Sequence, residues 1–173
     1  FPHSAFILAL SENAVRLVEM HADLPPEAVK VPDMPRDAAS SVGKSTLNDR
    51  SFSGRIHGSE GQNVRFQQYI RQVDAALRQV LSGREIPLVL AATGRLASIF
   101  MQTCSYPHLL NDTIADSPDT FTEAELANKA RPILDKAYAS EIAEIHGLFN
   151  RWASERRVTT DISDAARAAT FGA

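Results

Sequence analysis

Apolar residues fall in short unbroken runs early in the chain and at helical spacing later. Ala5 to Leu10 is an apolar run bounded by polar residues, and Val15-Arg16-Leu17-Val18 follows the turn-forming Ser11-Glu12-Asn13. This predicts a β-hairpin. Ala28 to Val31, set off by Pro25-Pro26 and Pro32, predicts a third strand. From Pro32 to Gln62 the chain is rich in Ser, Asp, Arg and Gly and has neither period. It reads as a long exposed loop, a kind of segment that is usually functional or disordered.

Helical periodicity begins after that loop. Phe66, Tyr69, Ile70, Val73, Leu77, Val80 and Leu81 share one face, with Asn63 as the predicted N-cap and Gly83 as the stop. Ile86 to Ala92 predicts a buried strand without alternation. Gly94 opens a second helix with Leu96, Ile99 and Phe100 inward, and a weak strand is expected over Thr113 to Ala115. Thr122 with Glu125 forms a capping-box pattern. The longest helix continues from it, with an apolar stripe from Ile133 through Ile142, Ile145, Leu148 and Phe149 to Trp152. Pro132 is expected to kink or restart it. A last helix starts after Thr160 or Asp161. The order β-β-β-loop-α-β-α-β-α predicts an α/β fold. Its outline is ribonuclease-H-like: a mixed sheet of three antiparallel strands followed by β-α-β-α units, with a long C-terminal helix.

The composition narrows the functions. The chain has 173 residues, 44% of them hydrophobic, and a net charge of −3. That suffices for one core and argues against a general, strongly basic nucleic-acid binder. The lone Cys104 fits a reducing compartment. No apolar run is long enough to span a membrane and no secretory leader pattern is present. The abrupt ends, Phe1 and Phe171-Gly172-Ala173, read as those of a piece cut from a longer protein.

Several motifs can be weighed from the residues alone. Ala38 to Ser45 loosely fits a phosphate loop through Lys44, but no strand runs into it, no good helix follows, and no strand ending in Asp appears downstream to hold magnesium. None of His3, His21, His57, His108 and His146 pairs with another His or Cys at metal-ligand spacing. His146, near the apolar stripe, and Cys104, after a buried helix, are expected to be structural. Two-metal nuclease chemistry needs carboxylates on the central strands, and neither Ala5 to Leu10 nor Ile86 to Ala92 has one. The loop remains. Lys44, Arg50, Arg55 and Arg65, with His57 when protonated, outweigh Asp49 and Glu60 there and suit a phosphate backbone. Gly58 and Gly61 permit close approach, and the Gln62 amide can orient a water.

Gly61-Gln62 followed by Arg65-Phe66 and an amphipathic helix resembles the middle domain of archaeo-eukaryotic class-1 release factors, where a Gly-Gly-Gln loop precedes a helix with a similar Arg-Phe start. The strand Pro87 to Ala92, the helix after it and the long helix with Glu141-Ile142 through Phe149 also resemble that family and its Pelota relatives. Asp164 to Ala169 resembles the helix entering their third domain. The likeness is to the bacterial branch of the superfamily. It implies a middle domain over residues 1–157 and a connecting helix over 158–173 that leads into a third domain. It also implies a cytoplasmic protein whose partners are the ribosome, rRNA and tRNA, with a translational GTPase as a further partner. No cofactor or metal is implied. In this family Gln62 would position the water that attacks the peptidyl-tRNA ester and Gly61 would allow close approach. Glu60 stands where the family has glycine, and a carboxylate beside RNA phosphates is unfavourable. The favoured reading is therefore a non-catalytic ribosome-binding module of rescue or hibernation type. Hydrolysis of peptidyl-tRNA through Gln62 is the alternative, and nucleotide binding through Lys44 a second one.

Overall fold

The computed structural model describes residues 4–43, 59–155 and 157–171. Strands β1 (Ala5–Leu10), β2 (Val15–Met20) and β3 (Glu27–Val29) come first. Helices α1 (Ala38–Gly43) and α2 (Ser59–Leu81) follow, then β4 (Leu88–Ala91), α3 (Gly94–Thr103) and β5 (Leu109–Ile114). A 3-10 turn at Pro118–Thr120 precedes α4 (Glu123–Ser154) and α5 (Ile162–Phe171). The five strands make one mixed sheet in the order β3-β2-β1-β4-β5. The hairpin and meander are antiparallel, whereas β4 and β5 run parallel to β1. The expected α/β class with a mixed sheet and a long C-terminal helix is observed. The chain divides into two units, 1–134 and 135–173.

Every residue of β1 and β4 is buried, so both faces of the central sheet are covered and neither strand needs a polar alternation. Phe6, Leu8 and Leu10 alternate onto one face, where Tyr69, Ile70, Val73 and Leu77 of α2 and Phe100 of α3 complete the main core. On the opposite face of β2, Arg16 donates to Glu123 Oε1 at 2.9 Å and to the carbonyls of Pro118 and Phe121. This brings the start of α4 to that face, where Leu126, Ala127, Ala130 and Leu134 are buried.

Several boundaries differ from expectation. β2 runs on to Met20, β3 sits at Glu27–Val29, and β5 starts at Leu109, upstream of the expected Thr113 to Ala115, and ends within it at Ile114. Pro132 does not restart α4, which is continuous from Glu123 to Ser154. Proline forfeits one backbone hydrogen bond there, and buried Ala130 and Leu134 anchor the helix on either side. The stripe expected along α4 is buried only as far as Leu134, and Ile142 to Trp152 is exposed. The stretch expected to be one loop from Pro32 to Gln62 contains α1 and the first residues of α2. Asp37 caps α1 by accepting from Ser40 N at 2.6 Å, and this bond holds the Asp37 carboxyl below its usual range.

The capping box forms as expected. Thr122 N and Oγ1 donate to Glu125 Oε2 at 2.8 and 2.9 Å, and Glu125 N donates to Thr122 Oγ1 at 3.3 Å. Both Thr122 bonds favour the charged carboxylate, so the Glu125 pKa lies below its ordinary 4.5. A depressed folded-state pKa stabilises above the unfolded value, and that stabilisation is lost as pH falls through the folded one. Thr122→Ala is therefore expected to cost about 1 kcal/mol at neutral pH. The gap to the parent should narrow in urea melts run progressively below pH 4.5. A gap that stays constant into acid would refute the ionic part of the cap.

Candidate functional site

The parallel strands β1, β4 and β5 end on one edge of the sheet, beside the first turns of α2 and α3. After β1 the chain moves outward to β2 and β3, then returns to β4 on the other side of β1. In open α/β sheets, ligands bind outside the carboxyl ends of the strands at such a reversal.

The turn after β1 organises this edge. Ser11 Oγ accepts from Asn13 N at 3.1 Å and Ala14 N at 3.0 Å. Buried Tyr69 donates its hydroxyl to Ser11 O at 3.0 Å and so ties α2 to the turn. Burial raises the Tyr69 pKa, so it stays a neutral donor. Ala38 N donates to Glu12 O at 2.9 Å, and Asn13 Nδ2 donates to Asp119 Oδ2 at 3.1 Å. Gln72 Nε2 donates to Ser41 O at 2.9 Å and holds α1 against α2.

Two clefts open on this edge. One, of about 390 Å³, is lined by Glu12, Asn13, Ala38, Gln62, Arg65 and Phe66 among others. The other, of about 360 Å³, shares Glu12, Asn13 and Phe66 and adds Thr93, Gly94 and Arg95 from the start of α3. Gly94 has φ +50, a left-handed conformation that side chains rarely adopt. Together the clefts present the guanidinium groups of Arg65 and Arg95, the carboxamides of Asn13 and Gln62, and the carboxylates of Glu12 and Asp119 around the buried Phe66. Such a set can grip phosphate oxygens and hydrogen-bond a polar edge.

Gly61 and Gln62 lie in the first turn of α2, which begins at Ser59, so they do not end a loop and Asn63 is not the N-cap. Phe66, Tyr69 and Ile70 are buried in register, and their packing extends the helix upstream over a glycine that disfavours it. Gln62 is exposed, Gly61 is half-buried, and Arg65 is exposed one turn on. The structure thus brings Gln62 and Arg65 together at one cleft. Lys44, Arg50, Arg55 and His57 lie outside the described residues. The chain approaches Lys44 as helix α1, whereas a phosphate loop is entered from a strand.

Glu12, Asn13 and Arg95 were not expected at the site. In sequence, Ser11-Glu12-Asn13 is only a turn signal and Arg95 only a residue of a helix start. They meet because β1 and β4 are adjacent and parallel. His146 is exposed on α4 rather than structural. Cys104 is half-buried against the core, and burial raises its thiol pKa. Among the described residues no three of His, Cys, Asp or Glu are grouped to hold a metal, and no helix is long and apolar enough to cross a membrane.

Residues 2–140 match the sequence model of a family described as bacterial archaeo-eukaryotic release factor family 11. No curated protein matches the chain.

Proposed function

Because the chain belongs to bacterial archaeo-eukaryotic release factor family 11, a family that points to a role in translation, we propose that it is a ribosome-binding domain of rescue or hibernation type. It presents Gln62 and Gly61 toward the tRNA end near the peptidyl-transferase region, and rRNA and tRNA are its contacts. It works in the cytoplasm, with a translational GTPase as a further partner. Residues 1–157 act as the middle domain and 158–173 as a connecting helix toward a third domain. The strand order β3-β2-β1-β4-β5 supports a ribonuclease-H-like ancestry for the scaffold.

The observation that carries this reading is the exposed pair Gln62 and Arg65 on one helical turn, at the mouth of a cleft. A cation there meets phosphate, and a neutral carboxamide beside it donates and accepts without adding charge. Lys44, Arg50, Arg55 and His57 add local positive charge in the preceding segment. Glu60 precedes Gly61 directly, and its carboxylate disfavours the close RNA approach that ester hydrolysis requires.

Titration against purified ribosomes tests the reading. Arg65→Glu is expected to weaken binding roughly tenfold or more and to reduce the salt dependence by about one phosphate contact. Unchanged affinity and salt slope for this variant would contradict it. The same ribosomes charged with peptidyl-tRNA separate the two mechanisms. Peptide release by the parent that Gln62→Ala abolishes would establish hydrolysis in place of the non-catalytic role.

A further inference from the structure

The second unit, 135–173, leaves two complementary apolar faces uncovered. On α4, Ile142, Ile145, Leu148, Phe149 and Trp152 share one side and are 38% to 56% exposed. On α5, Ile162, Ala165, Ala166 and Ala169 recur at i, i+3, i+4 and i+7 and are all exposed. The charges of α5 are turned away from that face, where Asp164 and Arg167 pair with each other at 3.6 Å.

A ten-residue helix is marginal in water without packing. Yet α5 starts firmly, with Asp161 Oδ1 accepting from Ser163 N at 2.7 Å and Asp164 N at 3.2 Å. It is a capped helix that lacks the surface it is shaped to meet.

The two faces match in register. Large side chains on α4 meet small ones on α5, which lets the helices approach closely. The apolar stretch covers about 15 Å of helix on α4 and about 10 Å on α5. With the helices antiparallel and Ile162 beside Trp152, Ala165 falls opposite Phe149 and Ala169 opposite Ile145, because both series step by three and then four.

In this structure α5 does not cover α4 of its own chain. We propose that it covers α4 of a second copy, with the exchange made twice about a two-fold axis. The area supports this occupant. With large side chains of roughly 200 Å² each, the exposed shares of the five α4 residues and Ile162 come to about 600 Å², too little for a stable interface. Two such contacts bury about 1,200 Å², the lower end of the range for a specific interface. The inference does not depend on the ribosome reading.

Sedimentation velocity of the 173-residue chain over a wide concentration range tests it. The expected result is a concentration-dependent dimer. Ile145→Glu, and separately Ala165→Glu with Ala169→Glu, should each return the chain to monomer at least tenfold beyond the parent's midpoint. All three positions are exposed, so the variants are expected to fold, which circular dichroism checks. Under mild oxidation in a Cys104→Ser background, a mixture of Phe149→Cys and Ala165→Cys chains should form a disulfide-linked heterodimer that neither chain forms alone. A monomer at every concentration would overturn the proposal, as would a dimer indifferent to these substitutions or a disulfide dimer from Phe149→Cys chains alone.

Discussion

Leu8→Ala is expected to cost about 3–4 kcal/mol in denaturant unfolding. Leu8 is fully buried at the centre of β1, where it faces Leu17 of β2 across an antiparallel ladder and Leu90 of β4 across a parallel one. Tyr69, Ile70 and Val73 of α2 belong to the same cluster, so the sheet has helix packed directly over it. Truncation there opens a cavity that the flanking strands cannot close, because their hydrogen bonds fix the 4.8 Å strand spacing to within a few tenths of an ångström. A loss under about 1 kcal/mol would mean that the core relaxes around the gap.

Asp74→Ala is expected to cost about 3 kcal/mol, from lost charge-assisted hydrogen bonds and a donor left unsatisfied. Asp74 lies on α2 and is 3% exposed. Its Oδ1 accepts from Ser105 N at 2.8 Å and Ser105 Oγ at 3.0 Å, and its Oδ2 accepts from Arg78 at 2.7 Å. The Ser105 bonds join α2 to the segment that follows α3. Without the carboxylate, the Ser105 amide loses its partner next to the core. Asp74→Asn keeps an acceptor and should recover part of the loss. Equal losses for the two variants would assign the effect to the charge on Arg78 rather than to the Ser105 amide.

Both effects reside in parts of the fold that were legible in the sequence. The β1 and β4 strands announce themselves as apolar runs, and the α2 face from Phe66 to Leu81 as a helical period. Thr122 and Glu125 mark the start of α4 because a capping box is entirely local. β5 was harder to place. Leu109, Leu110 and Ile114 are interrupted by Asn111 and Asp112, and pairing with β4 decides the matter. The start of α2 was hidden by Gly61, whose low helix propensity is overridden by packing that only the folded chain supplies. Even α1 had a local signal, Asp37 three residues before Ser40, which the surrounding Ser and Pro obscured.

The candidate site divides in the same way. Gln62 and Arg65 were visible through a family resemblance, and the family match over residues 2–140 agrees with it. Glu12 and Arg95 were not, because no sequence period connects a hairpin turn to a helix start some eighty positions away. Parallel pairing of β1 with β4 brings them to the same edge. The exposure of Ile142 to Trp152 was equally hidden, since an apolar stripe in sequence does not reveal whether anything packs against it.

The most direct measurement is sedimentation of the purified chain with ribosomes through sucrose gradients at low and at high salt. The chain is predicted to travel with the ribosomal peak in low salt and to leave it progressively as salt rises, as phosphate contacts require. Chain found only at the top of the low-salt gradient would contradict the account.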